Sequence, residues 1–488
     1  MGSVIDPRSG LLRTPDQVTK AASIAFVRIF LGIMWAFELT VGHNWKIGGF
    51  GSDVHPGWIG ANRGDAVREG VGEAIADGTW SWFAVFYEAL LVPNAVAVSW
   101  ITIIVQAALV IAFVFGVLVR PAAVAALVMD LGIFMLGNSR IPPLFVAMHL
   151  FVLVTGAGRY YGADGWLLDK LRGVQSRDKT RTMQPWGVRA LDWLIQLPVS
   201  PGARAPAVGV SSFLAVYLIL ALPGRETIRI QMVALSLASI CGLIAFGLYM
   251  STHIRDRLGV LVAMLRIFVG FLFLHEIWTR TVPGVNGLPG WTGGDALESF
   301  FITISDNHWG LFSSIVDTLF LPVVPLWAVV FGLVQFVVGV MLILGLKTRF
   351  AALLGTAFLA GLMILGATRY PPFLLGLMIP IVALDGGRYI SVDRVQHGDD
   401  YLARFGLPIP KVALIPLIVL AAVNAVAAIV TAFASGIEPG AYVGSMPAMT
   451  TAMVAIFSGL LAFVGWLQLN PEVAIVPDDA RELLEWPI

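Results

Sequence analysis

The chain has a single cysteine, Cys241, in 488 residues, and it lies in an apolar run. One thiol cannot form an intrachain disulfide, a dithiol redox pair or an iron–sulfur cluster. Charge is scarce as well: Asp, Glu, Lys and Arg make up 13% of the residues, against roughly 25% in soluble domains. The 31 basic residues balance the 31 acidic ones, so no field attracts nucleic acid and none is expected as a partner. Residues 1–20 are polar and lack a cleavable signal pattern, so the first apolar helix is expected to act as an uncleaved signal. The sequence contains no HExxH, no Walker A loop, no GxGxxG in a strand–helix unit and no Ser/His/Asp arrangement. It therefore carries no motif for a bound metal or a covalently attached cofactor.

What it does contain is apolar. Hydrophobic residues reach 58% and the mean hydropathy is +0.83. They come in long runs, such as 95–119, 325–346 and 411–435, and about 20 apolar residues in a helix cross a ~30 Å hydrocarbon core. This composition predicts an all-α integral membrane protein held in a lipid bilayer. Twelve spans are expected, at about 22–42, 95–119, 121–139, 142–158, 207–223, 231–250, 261–279, 325–346, 350–366, 371–387, 411–435 and 446–468.

The second half repeats the first. Arg28-Ile29-Phe30-Leu31-Gly32 recurs as Arg266-Ile267-Phe268-Val269-Gly270, and Glu38 as Glu276, at an offset of 238. From Trp80 to Asp164 the offset is 229, mapping Glu88 to Asp317, Gln106 to Gln335 and Arg140-Ile-Pro-Pro to Arg369-Tyr-Pro-Pro. The expected organisation is an N-terminal segment at 1–21, repeat 1 at 22–168, a linker at 169–206 and a two-helix extension at 207–250. Repeat 2 follows at 261–395, a second extension at 411–468 and a tail at 469–488. Within the linker, Trp186 to Leu197 has the spacing of an interfacial amphipathic helix. Trp80 to Leu91 and its twin Trp309 to Leu321 are expected to lie on the outer membrane surface.

Lys and Arg set the orientation, because cytoplasmic loops are enriched in them. Arg8, Arg13 and Lys20 precede the first span, and 159–204 carries eight Lys/Arg against four Asp. Lys347, Arg349, Arg388, Arg394, Arg404 and Lys411 fall on the same side. Both termini are thus expected in the cytoplasm of a cell-membrane protein. An even number of helices per set makes the two repeats parallel rather than inverted.

Ionisable groups inside spans are costly and usually face a protein interior or a water-filled cavity. Glu38 and Glu276, Glu88 and Asp317, and Arg140 and Arg369 are all expected near the outer face, two carboxylates and one guanidinium per repeat. Bidentate Arg–carboxylate pairing would close an ionic cluster at the mouth of each repeat. Such a cluster either staples helices together or forms an outward-facing pocket, which Gln106 and Gln335 extend inward. A helix–helix hydrogen bond is the blander role for these two glutamines. Arg28 and Arg266 are expected to snorkel to the headgroups or to pair with the chain after the fourth span. Arg120, Arg159, Arg349 and Arg388 read as headgroup anchors. His149 and His275 lie within spans, but neither is kept in both copies, so paired haem ligands are not expected. Asp130, opposite Leu359, and Asp385, opposite Gly156, are likewise unmatched.

The repeated unit resembles the DoxX-like family of small four-helix membrane proteins, relatives of the DoxD-like small subunit of thiosulfate:quinone oxidoreductase. The resemblance rests on Arg-x-x-x-Gly in the first helix (Arg28, Gly32; Arg266, Gly270) and on Gly116 with Arg120, answered by Gly345, Lys347 and Arg349. Gly-Arg-Tyr-x-x-x-Asp completes it (Gly158 to Asp164; Gly387 to Asp393). The resemblance implies a membrane subunit working beside a partner oxidoreductase subunit, with quinone as electron acceptor and a sulfur compound such as thiosulfate as donor. This chain departs from the family in fusing two units, each with two further helices. Three readings follow: a quinone-linked subunit binding ligand through Glu38, Glu88, Gln106 and Arg140 and their twins; a transporter with two parallel repeats; and a non-catalytic scaffold.

Overall fold

A computed structural model describes residues 15–40, 46–47, 55–138, 141–168, 170, 190–191, 193–195, 203–220, 228–281, 294–368, 370–397, 409–435 and 446–470. Arg140, Arg369, most of the linker with its expected amphipathic helix, and the terminal segments lie outside the described residues. Every regular element among the described residues is helical. The helices are α1 (Pro15–Thr40), α2 (Asp65–Ala76), α3 (Ser81–Phe86, continued by a π-helical turn Tyr87–Leu91), α4 (Ala95–Phe115), α5 (Val119–Met135) and α6 (Pro142–Thr155). Then come α7 (Arg204–Leu220), α8 (Ile228–Met250), α9 (Arg257–Thr281), α10 (Asp295–Asn307), α11 (Gly310–Ile315), α12 (Val324–Leu344) and α13 (Thr348–Ile364). The last are α14 (Tyr370–Ala383), α15 (Val392–His397), α16 (Lys411–Ser435) and α17 (Met446–Leu469).

Among the described residues, seven helices are long and apolar enough to cross a membrane: α1, α4, α8, α9, α16, α17 and the 310–344 stretch that contains α12. The chain is an α-helical membrane protein. The other five expected spans fall on α5, α6, α7, α13 and α14, which are only 14 to 17 residues long.

Burial separates the helices into a centre and a lipid-facing rim. On α6 and α14 nearly every described side chain is buried, whereas α16 exposes Val412, Ile415, Val423 and Val426. The central helices α1, α6, α9 and α14 pack against one another across the two halves of the chain. Aromatic rings fill that seam: Phe30 lies 5.0 Å from Phe457, and Phe145 lies 4.8 Å from Phe373. Both α6 and α14 begin at a Pro-Pro pair, where the missing N–H groups would in any case have no helical partner.

The turns at the Arg28 end of the bundle explain why both copies keep the same Gly, Arg and Asp residues. Gly116 closes α4 at φ +71° and Leu118 opens α5 at φ +50°. The carboxylate of Asp164 accepts the backbone N–H of Leu118 (2.7 Å) and of Val119 (3.0 Å), capping two donors that a helix start leaves without partners. Asp393 repeats this with Lys347 N–H (2.6 Å) and Thr348 N–H (2.7 Å), after Gly345 at φ +65°. Arg28 donates to the carbonyls of Phe113 (2.8 Å), Val114 (3.1 Å) and Tyr161 (3.1 Å), and Arg266 donates to Ile390 (2.6 Å). Both guanidinium groups are buried, and Arg28 sits at the negative end of the α4 dipole. Of the two roles expected for Arg28 and Arg266, pairing with the chain after the fourth span is the one observed. Any side chain at Gly116 would collide with the guanidinium of Arg28.

The expectation that Arg159 and Arg388 anchor headgroups needs correcting. Both are buried, and Arg388 lies 3.5 Å from Asp256. Their tight Gly-Arg-Tyr turns fold the side chains back onto protein rather than out to lipid. Arg349 is exposed, while Arg120 reaches the Leu153 carbonyl at 3.1 Å.

Candidate functional site in the first repeat

The carboxylates and glutamines expected near the outer face differ in burial. Glu38 and Glu276 are buried, as are Gln106 and Gln335. Glu88 and Asp317 are exposed, and the local helix geometry explains why. In the π-helical turn, Tyr87 takes the inward position and donates its hydroxyl to the Gly132 carbonyl at 2.6 Å, so the next residue, Glu88, faces away. Val316 is buried at the matching place, and Asp317 instead accepts from the Ser305 hydroxyl at 2.7 Å. Arg140 and Arg369 are outside the described residues, and no distance to either enters the geometry.

Inward of Glu38 lies a polar set that the shared residues of the two copies do not reveal. The indole Nε1–H of Trp35 donates to Nε2 of His149 at 3.0 Å, and Nδ1 of His149 meets Oδ2 of Asp130 at 2.6 Å. Trp35 is 2% exposed, His149 0% and Asp130 1%. The imidazole is boxed by rings: Trp35 at 5.7 Å, Phe113 at 5.4 Å and Phe145 at 5.8 Å. Each member comes from a different helix, α1, α5 or α6, so the tertiary fold alone brings them together. His149 uses both ring nitrogens in these two hydrogen bonds.

The second repeat has Phe273, Leu359 and Met378 at these three positions. All three are buried in the same core. The bundle therefore packs with apolar side chains where the first repeat keeps an indole, a carboxylate and an imidazole. Asp130 and His149 stand out as unmatched polar residues in spans. Trp35 is found only by asking where the copies differ in polarity, which here means Trp against Phe273.

Helix geometry joins this set to the Glu38 level. Trp35 and Glu38 are three residues apart, about one turn along α1. Gly32 packs against Phe113 and Val114 of the antiparallel α4. Counting outward from that contact, Glu38 is six residues away on α1 and Gln106 seven from Phe113 on α4, or about 9 and 10.5 Å at 1.5 Å per residue. Both side chains thus lie level with each other, just outward of the His149 box. Glu38 Oε1 and Gln106 Oε1 are buried and accept no hydrogen bond within the protein.

Lys46 folds back over this end of α1. Its backbone N–H donates to the Leu39 carbonyl at 2.8 Å, and its ammonium lies 4.6 Å from the centre of the Trp58 ring. Desolvation pushes the Lys46 pKa down to about 8, against the opposing pull of the Glu38 carboxylate. At the opposite end, burial raises the carboxyl of Asp385 to about 6, despite the nearby Arg388. Asp385 holds φ +54° where the first repeat has Gly156 at φ +61°.

No family model, no curated protein and no solved structure matches this chain.

Proposed function

We propose that this chain is a DoxX-like membrane subunit of a quinone-linked oxidoreductase, and that its first repeat supplies the ligand and proton site. In this reading all twelve helices span the cell membrane as two parallel repeats, with both termini cytoplasmic. A partner subunit brings electrons from a donor such as a sulfur compound.

One observation carries the reading: Trp35, His149 and Asp130 form a buried hydrogen-bonded set whose three counterparts in the second repeat are apolar. Burying a carboxylate and an imidazole costs free energy that apolar packing avoids. The second repeat is the internal control at these three positions, since Phe273, Leu359 and Met378 pack there without any polar group. Buried polar groups kept in a membrane bundle under those terms point to chemistry. Quinones are bilayer-soluble rings that gain or lose protons with their electrons. An aromatic box beside a carboxylate–imidazole pair offers the ring a stacking surface and the proton an acceptor. Glu38 and Lys46, one turn outward, supply a polar path toward the membrane surface. The second repeat acts in this reading as structural support. The transporter reading gains nothing from the seam between the repeats, which aromatic rings fill.

The test is titration of the purified protein in nanodiscs with a short-chain ubiquinone, followed by tryptophan fluorescence. Saturable quenching that Asp130→Asn and His149→Met each weaken about tenfold or more, equal to the loss of one charge-assisted hydrogen bond, supports the reading. Absence of saturable binding, or equal binding by both variants, contradicts it.

A further inference from the structure

We infer that the first repeat holds a small oxyanion of the phosphate class between the guanidinium groups of Arg120 and Arg159, at the Arg28 end of the bundle and apart from the His149 set. The two groups converge on a glycine. A methyl group built on Gly156 would lie 2.7 Å from a terminal nitrogen of Arg159 and 3.0 Å from one of Arg120. Distances this short from one point put the two cations side by side. Arg159 is buried and Arg120 half-buried, so water screens little of their repulsion. Arginine keeps its charge inside proteins and offers donors only, so neither group relieves the crowding by losing a proton. Each reaches a carbonyl at the end of α6: Arg120 donates to Leu153 at 3.1 Å and Arg159 to Thr155 at 3.4 Å. A helix C-terminus carries only about half a negative charge, against two full cations.

The second repeat supplies the comparison. The counterpart of Arg159 is Arg388, which lies 3.5 Å from Asp256 and within the field of Asp385. Asp256 aligns with Val18 and Asp385 with Gly156. The counterpart of Arg120, Arg349, is exposed. Beside this arginine the first repeat therefore lacks both carboxylates of the second and brings in another guanidinium. Asp164 does not replace them, because its twin Asp393 is present in the second repeat too, and both cap backbone N–H groups. A bound anion does for the first repeat what Asp256 and Asp385 do for the second. A phosphate group suits the place, since each guanidinium fork binds its oxygens in charge-assisted geometry and two forks can share one group. Such a phosphate comes either from a lipid headgroup or from solution.

The experiment uses the full chain in a sugar-based detergent that contains no phosphate. Its melting midpoint is followed against inorganic phosphate and against a short-chain phosphatidic acid, with ionic strength held by sodium chloride. A saturable rise is expected. Arg120→Gln should raise the half-saturating concentration about tenfold, the worth of one charge-assisted hydrogen bond. Gly156→Asp installs the carboxylate of the second repeat and should abolish the response. Asp385 at φ +54° shows that an aspartate accepts this backbone. The two variants are read separately, so poor folding of one leaves the other as the test. Arg349→Gln should leave the response unchanged. Half-saturation at the lower concentration by phosphatidic acid identifies a lipid headgroup as the ligand, and by inorganic phosphate a free anion; either supports the site. No saturable rise with either probe overturns the inference, as does a rise that Arg120→Gln or Gly156→Asp, correctly folded, leaves intact.

Discussion

Trp35 Nε1–H donates to His149 Nε2 at 3.0 Å, and this bond decides the state of the imidazole. A ring nitrogen that accepts carries no proton, so the one proton of neutral His149 is on Nδ1, facing Asp130 at 2.6 Å. Nitrogen-15 spectra of labelled histidine read this tautomer directly, and a neutral imidazole with its proton on Nε2 would contradict it. Trp35→Phe, the residue of the second repeat, leaves Nε2 without a donor and should destabilise the protein by about 1–3 kcal/mol.

The three polar residues should behave as a unit. Removing one member strands another in an apolar core, so His149→Met or Asp130→Leu alone is expected to cost about 3–5 kcal/mol. Replacing all three with their second-repeat counterparts strands nothing. Trp35→Phe, Asp130→Leu and His149→Met together should cost less than either of those single changes. Thermal denaturation in one detergent measures all the variants, and additive costs would contradict the expectation.

The duplicated aspartates are capping residues and their loss should be equal in the two halves. Asp164→Ala and Asp393→Ala each remove the acceptor of two backbone N–H groups at a helix start. Each should cost about 1–2 kcal/mol, as for other capping carboxylates, with no change in ligand binding. A selective loss of binding in Asp164→Ala would show that the turn does more than hold α5.

Asp385 should carry a pH signature of the opposite sign to most carboxylates. Its folded pKa is raised from 3.8 to about 6 by burial, so the folded state binds a proton that the unfolded state has released. Stability attributable to this group falls as pH rises from about 4 to 6 and stays lower above that range. Asp385→Gly, the residue of the first repeat, should therefore stabilise the protein at pH 7 by about 3 kcal/mol more than it does below pH 4. Below pH 4 the gain should shrink to the relief of the φ +54° backbone, about 1 kcal/mol. Melting curves across that range check the sign.

The helices were legible in the sequence because apolar runs fix helix positions, and both copies kept the turn residues, but the capping role of Asp164 and Asp393 is visible only in the structure. Gly116, Asp164 and Arg28 recur as Gly345, Asp393 and Arg266, and a glycine with positive φ and a two-N–H cap tolerate few substitutes. The site was legible less well. Glu38 and Gln106 were found from their charge or polarity within spans. Glu88 and Asp317 share that signal and yet face outward, because one residue of rotation at a π-helical turn is invisible in hydropathy. Trp35 gave no signal by identity, since a tryptophan in a membrane helix is ordinary until His149 and Asp130 are set beside it. Those three lie 95 and 19 residues apart along the chain, and only packing joins them.

The central claim is that the first repeat keeps Trp35, His149 and Asp130 for ligand and proton chemistry rather than for packing. Short-chain ubiquinone binding to the triple variant Trp35→Phe, Asp130→Leu, His149→Met, in nanodiscs, tests it most directly. Because Trp35 is removed, binding is read by equilibrium dialysis. The account predicts a folded protein that melts within about 5 °C of the parent, as expected for a change of 1–2 kcal/mol in a chain this large, and that has lost saturable quinone binding. A folded triple variant that binds quinone as the parent does would contradict it.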